Sequence, residues 1–380
     1  MTHDDLGAGL PGIALYEMVA ASASGSWEAA RAAAQAMTAH PLTAFPDQAS
    51  LYRGVPAVAY ALNFAPPSAY SRTLAALDAE AVAIVAARLD AAQRRMDSGR
   101  PPRIAEYDLI SGLTGLGAYL LRRERQTALE RILSYLVRLL TEPLTIAGQQ
   151  VPGWWTSDSP RGYAEEGAYS AGHANFGLAH GMPGPLALLA LCSRAGVTVD
   201  GHEQALDEGI DFLTRWAQPT GDGCFGWPEV RPLHDFTDGP TSGSAPGRPS
   251  WCYGTPGIGR ALQLAALIRK SEPARQIAEQ AVLGSITDPR QLGQIEDATL
   301  CHGWAGLLLA CHLIATDSMS PSITHELPAL RSHLSAHLVR HEIPENAGLL
   351  SGDVGVRLTL HTISTPHSAG PGWETCLLLN

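Results

Sequence analysis

The sequence predicts an all-α fold in which an inner ring of buried helices is wrapped by an outer ring of amphipathic ones. Three observations carry this prediction. A pattern of glycine, two variable residues, a second small residue and then an apolar stretch returns seven times along the 380 residues. The stretches behind the glycines are small and apolar nearly all round, as a helix enclosed by protein should be. The segments between the copies are apolar on one face and carry Arg, Glu and Asp on the other.

The copies are GLPGIALYEM from Gly9, GVPAVAYAL from Gly54, GLTGLGAYLL from Gly112, GMPGPLALLAL from Gly181, GTPGIGRALQLA from Gly254, GWAGLLLACHL from Gly303 and GDVGVRLTL from Gly352. One Gly-x-x-Gly arises often by chance, but seven spaced about 45 to 75 residues apart do not. The glycines permit tight turns and close backbone approach where each inner helix begins. The intervening segments show helical steps of three and four, as in Leu129, Ile132, Leu133, Leu136 and Leu140, and in Leu327, Leu330, Leu334 and Leu338. Little of the chain reads as strand. Ile146 to Trp155 is the candidate for short β structure, and the Gly/Pro/Ser-rich stretch Asp238 to Ser250 is a loop. The polar segment Ser157 to Asn175 is placed as a loop over the end of the ring where the motifs collect. Residues 1–380 read as one domain.

Composition narrows the function. A chain that is 45% hydrophobic, with 26 basic and 37 acidic side chains, can bury a large core. Its net charge of -11 repels nucleic acid and offers no basic face to anionic lipid, so a peptide or electropositive partner fits better. Six cysteines without regular pairing, and no secretory signal, point to a reducing cytoplasm. The longest apolar runs, such as Leu186 to Cys192, fall well short of the roughly 20 residues that span a bilayer. Neither a membrane span nor a targeting segment is expected.

If every inner helix starts at a glycine turn on the same end of the ring, the residues just before those turns converge. Cys252, the pair Cys301-His302, His180 and, slightly further out, Asp108 all stand there. Two thiolates and one imidazole are the ligand set expected of a Zn2+ ion that keeps a fourth position open for chemistry. A thiol in that position becomes a nucleophilic thiolate near neutral pH. Addition of a thiolate to an electron-poor double bond leaves an enolate, so a proton donor must stand close by. His180 suits that task, with Asp108 to orient or tune it. Arg248, four residues before Cys252, can meet the enolate charge or a backbone carbonyl, and Tyr253 can donate a hydrogen bond. The positive ends of the helix dipoles favour negative charge at the same place.

Plainer readings stand beside these. His180 can serve as a fourth metal ligand, Asp108 as an ordinary helix N-cap and Arg248 as a loop charge. Cys192, Cys224 and Cys376 read as inert core thiols. A second pair, Cys311-His312, lies ten residues past Cys301, about 15 Å along a helix axis, and cannot share the metal.

These residues resemble the lanthionine synthetase C-like family, the LanC cyclases of lanthipeptide biosynthesis. The likeness runs over nearly the whole chain. It rests on Gly9-Leu10-Pro11-Gly12, Ser50-Leu51-Tyr52-Arg53-Gly54, Tyr107-Asp108-Leu109-Ile110-Ser111-Gly112 and Gly177-Leu178-Ala179-His180-Gly181. It continues through Arg248, Trp251-Cys252-Tyr253-Gly254, Cys301-His302-Gly303 and Leu349-Leu350-Ser351-Gly352 to Trp373 and Leu377-Leu378-Leu379. The resemblance implies an α/α toroid of seven inner and about seven outer helices, with one zinc at the mouth held by Cys252, Cys301 and His302. It implies addition of peptide cysteine thiols to dehydroalanine or dehydrobutyrine, closing lanthionine and methyllanthionine rings. His180 and Asp108 are carried over as the acid/base pair, and Arg248 and Tyr253 as supports. The implied partners are a dehydrated precursor peptide and a separate LanB-type dehydratase. Relatives of this fold that join glutathione to dehydrated residues give the alternative substrate. Three departures stand out: little chain precedes Gly9, Ala57 replaces the second glycine of its copy, and the region of the peptide-binding insertion is short.

Overall fold

Each of the seven glycine copies opens a helix. A computed structural model describes residues 3–160, 167–221, 224–240, 247–318, 320–341, 347–365 and 372–380. The helices that follow the glycines are α1 (Leu10–Ser24), α3 (Val55–Leu62), α6 (Leu113–Arg122), α8 (Pro183–Arg194), α11 (Thr255–Arg269), α14 (Trp304–Asp317) and α16 (Asp353–Ser364). Each packs on the next in chain order and α16 packs back on α1, so the inner ring closes. Around it run α2 (Glu28–Met37), α4 (Ser71–Asp97), α7 (Gln126–Thr141), α9 (His202–Trp216), α12 (Glu272–Thr287) and α15 (Ser322–Arg340). Short helices α5 (Ile104–Tyr107), α10 (Leu233–Thr237) and α13 (Pro289–Leu292) occupy the connections. The architecture is the expected α/α toroid. Among the described residues its outer ring has six long helices, where about seven were expected. The outer helices are the connectors between successive inner ones, and seven inner helices need only six connectors.

Burial follows the two sequence patterns. Pro183 to Cys192 of α8 and Thr255 to Ala266 of α11 are buried on every side, enclosed by both rings. On α7 the residues Leu129, Ile132, Leu133, Leu136 and Leu140 face inward, while Arg131 is exposed. On α15 Leu330 and Leu334 are buried and Leu327 and Leu338 half-buried.

The repeat has a backbone reason. A Cβ built at Gly306 would stand far inside van der Waals contact with the Leu300 carbonyl oxygen, and one at Gly257 would do the same to that of Trp251. The same six-residue offset recurs from Gly12 to Leu6, Gly115 to Leu109, Gly184 to Leu178 and Gly355 to Leu349. The incoming chain folds back across the first turn of each inner helix, so that turn must be bare.

The turns are also tied to one another. The N–H of Leu109 donates to Ala179, that of Ala179 to Cys252, that of Cys252 to Cys301, that of Cys301 to Leu350 and that of Leu350 to Gly7, at 2.9–3.3 Å. A belt of hydrogen bonds thus runs round the mouth and joins consecutive repeats.

The little β structure is where it was expected, with two additions. β1 (Leu144–Ile146) and β2 (Gln149–Val151) form a hairpin through Ala147 and Gly148, whose φ values of 49° and 79° suit a primed turn. β3 (His173–Asn175) pairs with β6 (Val230–Pro232), and β4 (Gln218–Gly221) with β5 (Cys224–Gly226), all antiparallel. β3 corrects the reading of Ser157 to Asn175 as loop throughout. All three of its residues are buried, so it lacks the alternation by which a strand shows itself. Residues 161–166 of that segment, and 241–246 of the Asp238 to Ser250 loop, lie outside the described residues.

The hollow of the ring is filled by the chain itself. Trp373 to Leu379 is buried and crosses the interior. Tyr60 Oη donates to the Trp373 carbonyl at 2.8 Å, Tyr52 Oη to Cys376 at 2.7 Å, Trp251 Nε1 to Leu377 at 3.0 Å and Arg260 Nε to Leu379 at 2.8 Å. Among the described residues no helix is long and apolar enough to cross a membrane.

Candidate metal centre

Cys252 and Cys301 occupy adjacent rungs of the belt, each two residues before the N-cap glycine of its helix, Gly254 for α11 and Gly303 for α14. This brings side chains 49 positions apart to one point. The ligand atoms of Cys252, Cys301 and His302 lie within 4.8 Å of one another, the one such group of metal-binding side chains among the described residues. A tetrahedral ion with Zn–S of about 2.3 Å and Zn–N of about 2.0–2.1 Å requires donors about 3.6–3.8 Å apart, which this set meets with small adjustment. The donors therefore fit a soft or borderline divalent metal.

Electrostatics agree. Hydrogen bonding from Cys301 and from His302 drives the Cys252 thiol well below its ordinary value despite burial, and Ser250 Oγ stands 3.7 Å from its sulfur. The same contact, with burial, pushes Cys301 up, so the pair shares its negative charge. The N-termini of α11 and α14, which carry no side-chain cap on their N-cap glycines, also lie beside this point with the positive ends of their dipoles.

His180 is not part of the ligand group. Its Nδ1 meets Asp108 Oδ2 at 2.6 Å, and its ring lies 5.9 Å from that of Tyr253. Burial lowers the basicity of His180, but the hydrogen bond and charge of Asp108, with the Cys252 thiolate, outweigh it and raise the imidazole above its ordinary value. Asp108 is only 1% exposed. Its other oxygen, Oδ1, accepts the Ser111 N–H at 2.7 Å, so it caps the turn but not the helix, whose N-cap is Gly112. The turn role repeats elsewhere four residues before a repeat glycine: Asp5 accepts from Ala8, and Ser250 from Tyr253 and Gly254. What distinguishes Asp108 is the second oxygen.

A cavity of about 390 Å³ joins these groups. Its walls include His180, Glu229, Arg248, Cys252, Cys301 and His302. Tyr253 also lines it; Asn175 Nδ2 donates to the tyrosine oxygen at 3.1 Å, which leaves the tyrosine O–H free to donate. Burial pushes that hydroxyl up to about 12. Arg248 has no ion-pair partner among the described residues. Glu229 and Asp297 were not anticipated from sequence. Glu229 is raised by burial, then by the nearby Cys252 charge. A larger cavity of about 470 Å³, walled by Trp154, Phe212, Trp216 and Phe236 near the β1–β2 hairpin, holds neither thiol nor imidazole. Cys192, Cys311 and Cys376 are buried, with thiols pushed up by desolvation, as expected of core residues. Cys224 is half-buried.

The profile of lanthionine synthetase C-like proteins matches residues 1–378. The chain belongs to the lanthionine synthetase C-like family. Among curated proteins it is similar to the nisin biosynthesis protein NisC of Lactococcus lactis subsp. lactis, with 28% identity over 219 residues, 55% of this chain. That match spans about half of the relative, 49% of its length. Among solved structures it superposes on a nisin cyclase with a TM-score of 0.77 and 20% identity, over 99% of this chain and 92% of the other. The shared toroid is thus established by fold as well as by sequence.

Proposed function

We propose that this chain, acting as one catalytic unit over residues 1–380, is a zinc-dependent lanthipeptide cyclase. The observation that carries the reading is the convergence of Cys252, Cys301 and His302 in the same cavity as a hydrogen-bonded His180–Asp108 pair. Family membership supports it, as does the name of the relative NisC, a nisin biosynthesis protein. Bound in this site, zinc supplies a lowered pKa to a substrate thiol.

The substrate is a peptide that carries free cysteine and dehydroalanine or dehydrobutyrine. Its thiolate sulfur forms a bond to the β-carbon, and the π electrons move to the α-carbon and its carbonyl as an enolate. His180, held by Asp108 through Nδ1, gives a proton to the α-carbon from its other ring nitrogen. The proton lost by the thiol balances the one gained, so the product is an isomer of the substrate. Arg248 and the free O–H of Tyr253 meet the enolate charge. Dehydration precedes this step on a separate LanB-type enzyme in the cytoplasm.

The test is incubation of purified, zinc-loaded protein with a dehydrated cysteine peptide, followed by alkylation and mass spectrometry. The expected result is loss of alkylatable thiol with no change in peptide mass. Bound zinc with full retention of free thiol overturns the reading, and a mass gain of one glutathione in a mixture containing it replaces the intramolecular nucleophile by an external one.

A further inference from the structure

We propose that Asp297 is a positioning residue that fixes which nitrogen of His302 faces the metal. The inference rests on the metal-site reading above. Thiolate donors tolerate many orientations, but an imidazole donates along one direction from one nitrogen, and only when that nitrogen carries no proton. The loop between α13 and α14 contains a device that meets both needs.

Asp297 stands five residues before His302 and is held at three points. Its carbonyl accepts the Trp304 N–H at 3.0 Å. Its Oδ1 accepts the Thr299 N–H at 2.7 Å. Its Oδ2 lies 3.3 Å from His302 Nε2. The first two ties clamp the carboxylate to both ends of the turn that carries Cys301 and His302, so the third contact is set by backbone. Asp297 is itself outside the group of mutually close ligand atoms formed by Cys252, Cys301 and His302. It does not ligate. It accepts the Nε2 proton, which leaves the Nδ1 lone pair for the ion. A carboxylate behind a metal-bound histidine fixes tautomer and ring orientation and raises donor strength, and loss of such a partner costs about 10–100-fold in metal affinity.

Asp297→Asn is the decisive variant. The amide oxygen preserves the Thr299 contact and therefore the turn, while the amide nitrogen now donates to Nε2 and drives the ring proton onto Nδ1, where it blocks ligation. Zinc affinity is read by competition with a chromophoric chelator, and geometry by the absorption of the cobalt(II)-loaded protein. The expected outcome is a Kd for zinc weaker by about 10–100-fold, with altered cobalt d–d bands, a retained thiolate charge-transfer band and an unchanged unfolding midpoint after chelation. Asp297→Ala should weaken binding at least as much; should that variant fail to fold, Asp297→Asn decides alone. A wild-type Kd and wild-type cobalt spectrum in Asp297→Asn overturn the inference and leave the metal site intact. Absence of zinc binding by the wild-type protein overturns the site reading and this inference together.

Discussion

The two ends of the ring treat charge differently. At the far end, where the inner helices finish, charges neutralise one another. Asp78 of α4 receives Arg123, Arg125 and the Tyr119 hydroxyl, and Arg123 also reaches Asn63. Arg260, buried in α11, reaches Asp317 at the end of α14, which Arg194 at the end of α8 also approaches. At the mouth, two thiols, two imidazoles, Arg248 and Glu229 line one cavity; Asp108 and Asp297 stand beside the imidazoles, while Arg248 has no ion-pair partner among the described residues. Ion pairs at the far end join neighbouring helices and leave nothing free to react. The mouth keeps reactive groups available: the bare glycine turns and the hydrogen-bond belt hold the backbone that carries them, and Asp108 and Asp297 hold the two imidazoles.

Variants at the two ends should therefore separate chemistry from stability. The largest effect is expected at the mouth. Cys301→Ala should abolish zinc binding and slow ring formation by ~10³-fold or more, because several kcal/mol of charge stabilisation leave with the ion; zinc content and thiol loss measured on the same sample check this. His180→Asn should cost ~10²–10⁴-fold in kcat while zinc content stays at the wild-type level. If zinc is lost as well, His180 belongs to the ligand set and the division of labour at the mouth is wrong.

At the far end the pattern should invert. Asp78→Ala leaves two arginines without their carboxylate and should lower stability by about 3 kcal/mol, seen as a lower denaturant midpoint, with zinc content per folded molecule unchanged. The pH dependence sharpens the comparison further. A proton donor works while protonated, so activity holds below the pKa of His180 and falls as pH rises through it. Burial lowers that pKa, but the hydrogen bond and charge of Asp108, with the Cys252 thiolate, raise it on balance, so the alkaline fall comes at higher pH than an ordinary histidine would give. Asp108→Asn should move the fall to lower pH; a pH–rate profile of kcat with the limb unmoved would separate Asp108 from the proton transfer. The smallest effect belongs to Cys311→Ala, which should cost about 1 kcal/mol of packing and leave zinc binding untouched, although Cys311 heads the same Cys-His dipeptide as Cys301.

Much of this was legible in the residues. The seven glycines located the starts of all seven inner helices, and Cys252, Cys301 and His302 could be read as ligands because they share one place in the repeat. Arg248 and Tyr253 were found by their nearness to Cys252. The turn-capping place of Asp108 was also available, since it lies four residues before Gly112 as Ser250 lies four before Gly254, but its second oxygen belongs to a contact 72 residues away. Asp297 and Glu229 escaped for the same physical reason. They sit in connections without period, and their approach to the mouth is set by how loops of different lengths return to the ring. β3 was missed because a fully buried strand of three residues carries no alternating signal.

The segment from Trp373 to Leu379 has a kinetic consequence. It threads the middle of the molecule and holds partners as far away as Tyr52, 324 positions before Cys376, and Tyr60, 313 before Trp373, while Leu377 is gripped by Trp251 beside the reactive rim. Such contacts cannot form until more than 300 residues beyond Tyr52 and Tyr60 have been synthesised, and contacts so distant along a chain form slowly. Until residues 373–379 are made, the tyrosine, tryptophan and arginine groups that line the centre lack their backbone acceptors, so this segment acts as a late-arriving bolt through the ring.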